Sequence, residues 1–155
     1  MKTFLTVVQS IGLLVARIAL GIVMVNHGWA RWTNPGLSAQ VELLATAGIA
    51  QPQLVAWGTM LLEVVGGVLL IFGAFTPAVA ALYLVQQILV IALVKWPHGL
   101  AIESGGFEFN VVLAAVAALL LVFGAGRVGA DALFRRPASE TGPRAGKQVD
   151  DHAPA

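Results

Sequence analysis

The sequence contains no cysteine and few charged residues. Without cysteine, the chain cannot form disulfides, a thiol nucleophile, an iron–sulfur cluster or the dithiol relay of quinone-linked disulfide-forming membrane enzymes. Charged residues make up only 11% of the 155 residues, whereas 58% are hydrophobic. Because so few polar side chains cannot cover a soluble globule, the composition predicts a small polytopic membrane protein.

Four apolar runs, separated by turns that contain Pro, Gly or Asn, divide the chain. Each run approaches the roughly 20 residues that a helix needs to cross a hydrocarbon core of about 30 Å. We therefore predict an all-α fold, a transmembrane four-helix bundle with a short interfacial helix between spans one and two. The expected spans are about 10–31, 53–73, 77–96 and 107–124, and the short helix is expected at about 38–48.

These elements form one expected membrane domain, residues 1–136, followed by a tail at 137–155 that is predicted to be disordered. Four spans place both termini on one side. The basic residues on that side are Lys2, Arg127, Arg135, Arg136, Arg144 and Lys147, against Arg31 and Lys95 on the other. The span ends on the other side carry Trp29, Trp32, Trp57 and Trp96. Both distributions predict a bacterial-type plasma-membrane protein whose termini are cytoplasmic.

Glu63 lies in the middle of an otherwise uncharged apolar run. A carboxylate at that depth costs a few kcal/mol unless it faces the bundle and has a partner. Arg17 lies roughly 10 Å and Glu63 roughly 15 Å from the inner face, a difference that a guanidinium can cover. Small residues surround both positions on their helical faces, which favours close helix packing. We predict an Arg17–Glu63 contact, which is either a structural ion pair or a proton-handling site.

Further polar residues are expected to gather at the outer half of the bundle. They are His27 and Arg31 at the end of span one, Lys95 and His98 at the end of span three, and Glu103, Glu108 and Asn110 near the start of span four. His27 is interpreted either as a satisfied polar residue or as part of a ligand or proton site. The spacing does not favour a metal site or a bis-histidine haem. Gln86 and Gln87 are expected either to line a cavity or to hydrogen-bond across helices.

Several segments together resemble the DoxX family. They are RIALGIVMVNHGWARW, AGIAQP, LLEVVGGVLLIFGAFTP, WPHG and GGFEFNVVLAAVAALLLVFGAGRVGADAL, which cover nearly all of the chain from Ile11 to Leu133. The resemblance implies a four-helix integral membrane protein of a group named from a subunit of an archaeal terminal quinol oxidase and linked to thiosulfate:quinone oxidoreduction. Other members resemble methylamine-utilisation membrane proteins and a eukaryotic receptor chaperone, so the fold does not determine the function.

By motif match, the polar positions of the family fall on Arg17, His27, Gly28, Glu63, Gly66, Gly67, His98, Gly105, Gly106, Glu108 and Phe109. We combine these positions with the polar residues gathered at the outer half of the bundle. His27, Glu63 and Arg17 are the expected proton or head-group residues, and the expected ligand-binding residues are Gly28, Arg31, His98, Glu108 and Asn110. The HGW motif of the family often ends in Lys, where this chain has Arg31. That difference keeps the cation and changes its chemistry.

Two functions follow as the main hypotheses, and a third is considered after them. In the first, the chain is a subunit of a quinone-linked oxidoreductase or of an oxidative or thiol-stress system, and a protein partner supplies the electrons. The sequence lacks cysteine, a haem ligand pair and a nucleotide-binding glycine motif, so it cannot carry electrons alone. In the second, the chain is a non-catalytic anchor or assembly factor for a soluble redox partner. A small proton-coupled transporter is the third. Lipid and protein are the expected partners, and nucleic acid is not.

Overall fold

The computed structural model describes residues 2–126 and 129–131, and this part of the chain is built from helices. The helices are α1 (Lys2–Thr33), α2 (Leu37–Thr46), α3 (Pro52–Phe72), α4 (Thr76–His98) and α5 (Glu108–Phe123). A short 3-10 turn, Ile102–Ser104, lies in the connection between α4 and α5. The predicted all-α class is confirmed.

Three of the helices, α1, α3 and α4, are long and apolar enough to cross a membrane. Helix α5 is also apolar but has 16 residues, about 24 Å at a rise of about 1.5 Å per residue. It therefore covers less than the full thickness of a hydrocarbon core of about 30 Å. Bilayers accommodate such a short helix by local thinning or through the side chains that flank it.

The helices differ from the predicted spans mainly at their ends. Helix α1 begins at Lys2 rather than near residue 10, because the segment before Ser10 is largely apolar and contains no residue that stops a helix. Helix α4 ends at His98 rather than near residue 96. Pro97 is tolerated because it lies in the first turn of a 3-10 segment, where its missing N–H leaves no hydrogen bond unmade. The predicted tail at 137–155 lies outside the described residues.

Two of the long helices contain a π-helical turn. In α3 the π turn is Leu62–Gly66 and includes Glu63, and in α4 it is Ile91–Lys95. Such turns are rare and occur frequently at functional sites, because the extra residue turns side chains to new directions. Both π turns carry a charged side chain of the candidate site described below.

Close glycine contacts set the register between α1 and α3. A Cβ atom added to Gly21 would lie 2.7 Å from the Gly67 carbonyl oxygen, and one added to Gly67 would lie 2.7 Å from the Gly21 carbonyl oxygen. Farther along, a Cβ atom on Gly28 would lie 3.0 Å from the Glu63 Cβ. The two antiparallel helices therefore cross almost backbone to backbone, as small residues allow in membrane proteins.

Helices α1, α3, α4 and α5 enclose one apolar core. Helix α1 packs along α3 and also on α5, while α4 packs along α5 and meets the π turn of α3. The buried core residues are Leu20, Met24, Leu70, Val79, Ala80, Tyr83, Leu113, Ala117 and Leu120. Helix α2 packs on α3 and on the end of α1, and buries Leu44. The predicted four-helix bundle with a short helix between its first two spans is therefore confirmed.

The outer surface of the bundle is apolar, as contact with lipid requires. Large hydrophobic side chains stay exposed along every helix, including Leu61, Phe72 and Val122. The four tryptophans, Trp29, Trp32, Trp57 and Trp96, are exposed at the ends of α1 and α4 and the start of α3. These ends lie together, and we call this the tryptophan end of the bundle. Tryptophans gathered in this way are typical of a membrane interface.

Candidate functional site

Glu63 is buried at the midpoint of α3 and holds the centre of the site. Its side chain is only 1% exposed, and its Oε1 atom accepts two hydrogen bonds. The guanidinium of Arg31 donates from Nη1 at 2.7 Å, and the amide of Gln86 donates from Nε2 at 2.6 Å. Three helices, α1, α3 and α4, thus meet at one carboxylate oxygen. This charge-assisted network compensates part of the cost of burying the carboxylate.

Two other polar atoms at this network lack a hydrogen-bond partner within the described part of the chain. They are Glu63 Oε2 and Gln86 Oε1, and both are fully buried. Buried oxygens of this kind are costly to leave unsatisfied, and their presence in a folded protein is typical of a site that binds water, a proton or a ligand.

The predicted Arg17–Glu63 contact is wrong, because the carboxylate pairs with Arg31 instead. Arg17 is buried near the far end of α3, where its Nη1 atom donates to the Ala125 carbonyl oxygen at 2.9 Å and lies against Gly73. Gly73 directly follows α3 and lies ten positions after Glu63, about 15 Å along the helix at a rise of about 1.5 Å per residue. The glycine register thus places Arg17 beyond the reach of Glu63.

The direction of helical side chains explains why Arg31 is the partner. Side chains on a helix lean toward its N-terminus. Helices α1 and α3 are antiparallel, so Glu63 leans toward the tryptophan end and Arg17 leans toward the opposite end. Arg31, which lies at the tryptophan end of α1, leans back into the bundle toward Glu63. The side chains of Arg17 and Glu63 therefore point away from each other, whereas those of Arg31 and Glu63 point toward each other.

Arg17 instead takes part in a brace at the end opposite the tryptophans. The carboxylate of Asp131 lies within electrostatic range of Arg17 and accepts hydrogen bonds from the backbone N–H groups of Phe75 and Thr76, at 2.7 and 3.0 Å. Asp131 therefore caps the start of α4 from a distant part of the chain. Of the expected proton or head-group residues, Arg17 belongs to this structural brace rather than to the Glu63 network.

An apolar cavity of about 370 Å³ lies beside the Glu63 network, between α2, α3 and α4. Arg31 and Gln86, the two residues that hold Glu63, both line it, and Lys95 lines it as well. The remaining lining residues are mostly Leu, Val and Ile side chains. Both roles that the sequence leaves open for Gln86 are therefore realised, since it bonds across helices and faces a cavity. The contribution of Lys95 to a cavity is not predicted from the sequence.

Three other predicted site residues lie in the interior of the bundle: Gly28 contacts Glu63, whereas His27 and Asn110 form contacts that involve α5. Gly28 lies against Glu63, so that pair is brought together. His27 is half-buried and stacks on Phe109 of α5, with ring centroids 5.7 Å apart and planes inclined by 18°. Asn110 is buried and donates from Nδ2 to Gln87 Oε1 at 2.7 Å, which joins α5 to α4. The contacts of His27 and Asn110 lie on the α5 side of the bundle.

His98, the last residue of α4, and Glu108, the first residue of α5, are exposed at the tryptophan end, on either side of the connection between these helices. Lys95 crosses this connection, because its Nζ atom donates to the carbonyl oxygens of Gly105 and Gly106 at 3.1 and 3.4 Å. Within the described residues, no group of three or more His, Cys, Asp or Glu side chains is placed to hold a metal ion. The side chains gathered at the site can instead bind a head group with hydrogen-bond-accepting oxygens, and the carboxylate can exchange a proton.

The fold and site together define a small polytopic membrane protein with a buried carboxylate–guanidinium pair beside a cavity. Residues 12–96 match the family model of DoxX. This chain belongs to the DoxX family, as its motifs predict.

Two curated proteins are similar to this chain over most of their length. It is 29% identical over 124 residues to the inner membrane protein YphA of Escherichia coli (strain K12). The matched region covers 77% of this chain and 87% of that protein. It is 30% identical over 103 residues to the putative oxidoreductase CatD of Bacillus subtilis (strain 168). The matched region covers 66% of this chain and 72% of that protein. No solved structure matches this chain significantly. The family and these relatives place the chain among bacterial membrane proteins.

Proposed function

We propose that this chain is a quinone-binding subunit of a membrane oxidoreductase or of an oxidative or thiol-stress system. The observation that carries the proposal is the Glu63 network, in which Arg31 and Gln86 hold a buried carboxylate and also line an apolar cavity. Membership of the DoxX family and the name of the Bacillus subtilis relative, a putative oxidoreductase, support a redox role.

The residues at the cavity fit a quinone head group. A quinone ring is flat and largely apolar and carries two carbonyl oxygens that accept hydrogen bonds. A cavity of about 370 Å³ is within the size range of small-molecule sites. Arg31, Lys95 and Gln86 supply donors along its wall, and leucine and valine side chains supply the apolar surface.

Reduction of a quinone to a quinol takes up two electrons and two protons. When bound, the quinone is the electron acceptor, and we assign the electron donor to a partner protein that carries a reduced cofactor or thiol. The part assigned to this chain is to hold the ring and to deliver protons. Glu63 suits the second task, since Oε2 is buried and has no hydrogen-bond partner among the described residues. Arg31 and Gln86 keep the other carboxylate oxygen in place.

The proposal includes an orientation, with the tryptophan end on the outer side and both termini in the cytoplasm. The distribution of Lys and Arg along the sequence supports it. Fusion of a reporter that is active only in the cytoplasm to the C-terminus should give an active reporter. An inactive fusion, with activity recovered from a periplasmic reporter at the same position, would contradict the orientation.

The test of the proposed function is quinone retention by the purified protein in lipid nanodiscs. Extraction and absorbance should find quinone with the wild-type chain and at least a tenfold loss in Glu63→Gln and in Arg31→Gln. Glu103→Gln is the matched control, because Glu103 is an exposed acid in the loop after α4. Co-purification of a partner protein without quinone, unchanged in both site variants, would refute the proposal and favour a non-catalytic anchor.

A further inference from the structure

The cavity beside Glu63 opens sideways, on the surface that faces lipid. Several residues that line it are themselves about half exposed, on α2 and along one face of α4: Leu43, Leu82, Val85, Leu89 and Leu93. A side chain can be both lining and exposed only where the cavity reaches the outer surface. That surface is apolar and lies within the span of α4, so the opening faces the bilayer rather than water.

The polar lining residues extend from the tryptophan end of the cavity inward to the depth of Glu63. Arg31 and Lys95 lie at the tryptophan ends of α1 and α4, and Gln86 lies beside Glu63. Among the described residues, the cavity lining contains two cations and no carboxylate, because Glu63 lies behind Arg31 and Gln86. One of the two positive charges is compensated by Glu63, which leaves an excess of one. This polar part of the lining is complementary to electron-rich oxygens, and the apolar remainder is complementary to hydrocarbon.

We propose that this cavity is a lateral binding site for a tailed quinone dissolved in the membrane. The ring oxygens lie against Arg31, Lys95 and Gln86, and the tail leaves between α2 and α4 into the bilayer. The inference rests on the proposed function for the identity of the head group. The location, the route of entry and the requirement for a tail come from the shape and lining of the cavity.

Gly58 provides a way to close the cavity without disturbing the bundle. It lines the cavity, and a Cβ atom added there meets no other atom within 4 Å. A Phe side chain can therefore start from this backbone without a clash at its Cβ atom, and it replaces a helical glycine, which is itself a poor helix former. Gly12 is the matched control, because a Cβ atom there also meets no atom within 4 Å and the residue lies on α1 outside the cavity lining.

The experiment measures quinone binding to the full chain in nanodiscs by quenching of tryptophan fluorescence. Trp57 precedes Gly58 in the sequence, and Trp96 follows Lys95, so two fluorophores adjoin residues that line the cavity. Decylubiquinone and the same ring without a tail are compared at equal mole fraction in the bilayer. Helix content by circular dichroism and elution on a sizing column establish that each variant is folded.

For decylubiquinone, Gly58→Phe should weaken binding at least tenfold, while Gly12→Phe should stay within twofold of the wild type. The tail-less ring should bind at least tenfold more weakly than the decyl form. Unchanged binding in folded Gly58→Phe would overturn the lateral site, and a loss in Glu63→Gln alone would then leave the proposed function standing. Binding of palmitate but not of quinone, abolished by Gly58→Phe, would overturn the quinone assignment here and the proposed function together, and would leave only the location of the cavity.

Discussion

Replacement of Arg31 and replacement of Glu63 should have unequal effects on stability. Arg31→Gln leaves a carboxylate that is 1% exposed without its counter-charge. Breaking a buried ion pair in this way costs about 3–5 kcal/mol. Glu63→Gln leaves the charge on Arg31, whose side chain is 26% exposed and lies at the end of α1, so it can extend toward water. That variant loses charge-assisted hydrogen bonds worth about 1.5–3 kcal/mol at most.

The two substitutions should also depend on each other. In the double variant the buried charge is absent, so Glu63→Gln should stabilise a chain that already carries Arg31→Gln, although it destabilises the wild type. Coupling energies between residues in one such network reach about 0.5–3 kcal/mol. Arg17→Gln is the comparison, because Arg17 bonds to Ala125 near the far end of α3 and should show no coupling to Glu63.

The assay is reversible unfolding of the purified protein by sodium dodecyl sulfate in mixed micelles, followed by helix content. It gives a free energy of unfolding for the wild type, the single variants and the two double variants. Additive effects of Arg31→Gln and Glu63→Gln, with coupling found instead between Arg17 and Glu63, would refute the assigned ion pair and the helix register on which it depends.

Three further predictions concern the packing and the end of the bundle. Gly21→Val should lower the free energy of unfolding by about 1–3 kcal/mol, because a Cβ atom there lies 2.7 Å from a backbone oxygen of α3, while Gly12→Val should have no such effect in the same assay. Asp131→Ala should cost about 1 kcal/mol by removing the cap of α4, and Asp131→Asn should recover part of it; equal losses would exclude capping. Asn110→Ala should cost about 1–3 kcal/mol, because it leaves Gln87 Oε1 buried without its donor; a neutral effect in the unfolding titration would contradict this.

The class of protein and its helices follow from local properties of the chain. Long apolar runs with few charges specify membrane spans, because a helix satisfies its own backbone hydrogen bonds in lipid. The motifs around His27 and Glu63 identify the DoxX family. The helix ends are less well predicted from the sequence. Helix α1 begins at Lys2, because the residues before Ser10 are also apolar, although a single span does not need them.

What the sequence by itself determined is that a carboxylate at the centre of span two needs a partner inside the bundle. Which cation serves was decided by the tertiary structure, because the glycine crossing of α1 on α3 sets the register and antiparallel side chains converge only at Arg31. The cavity beside that pair likewise forms only where α2, α3 and α4 pack together with the end of α1 that carries Arg31. Composition and spacing act within one helix, whereas pairing and cavity shape depend on how neighbouring helices pack.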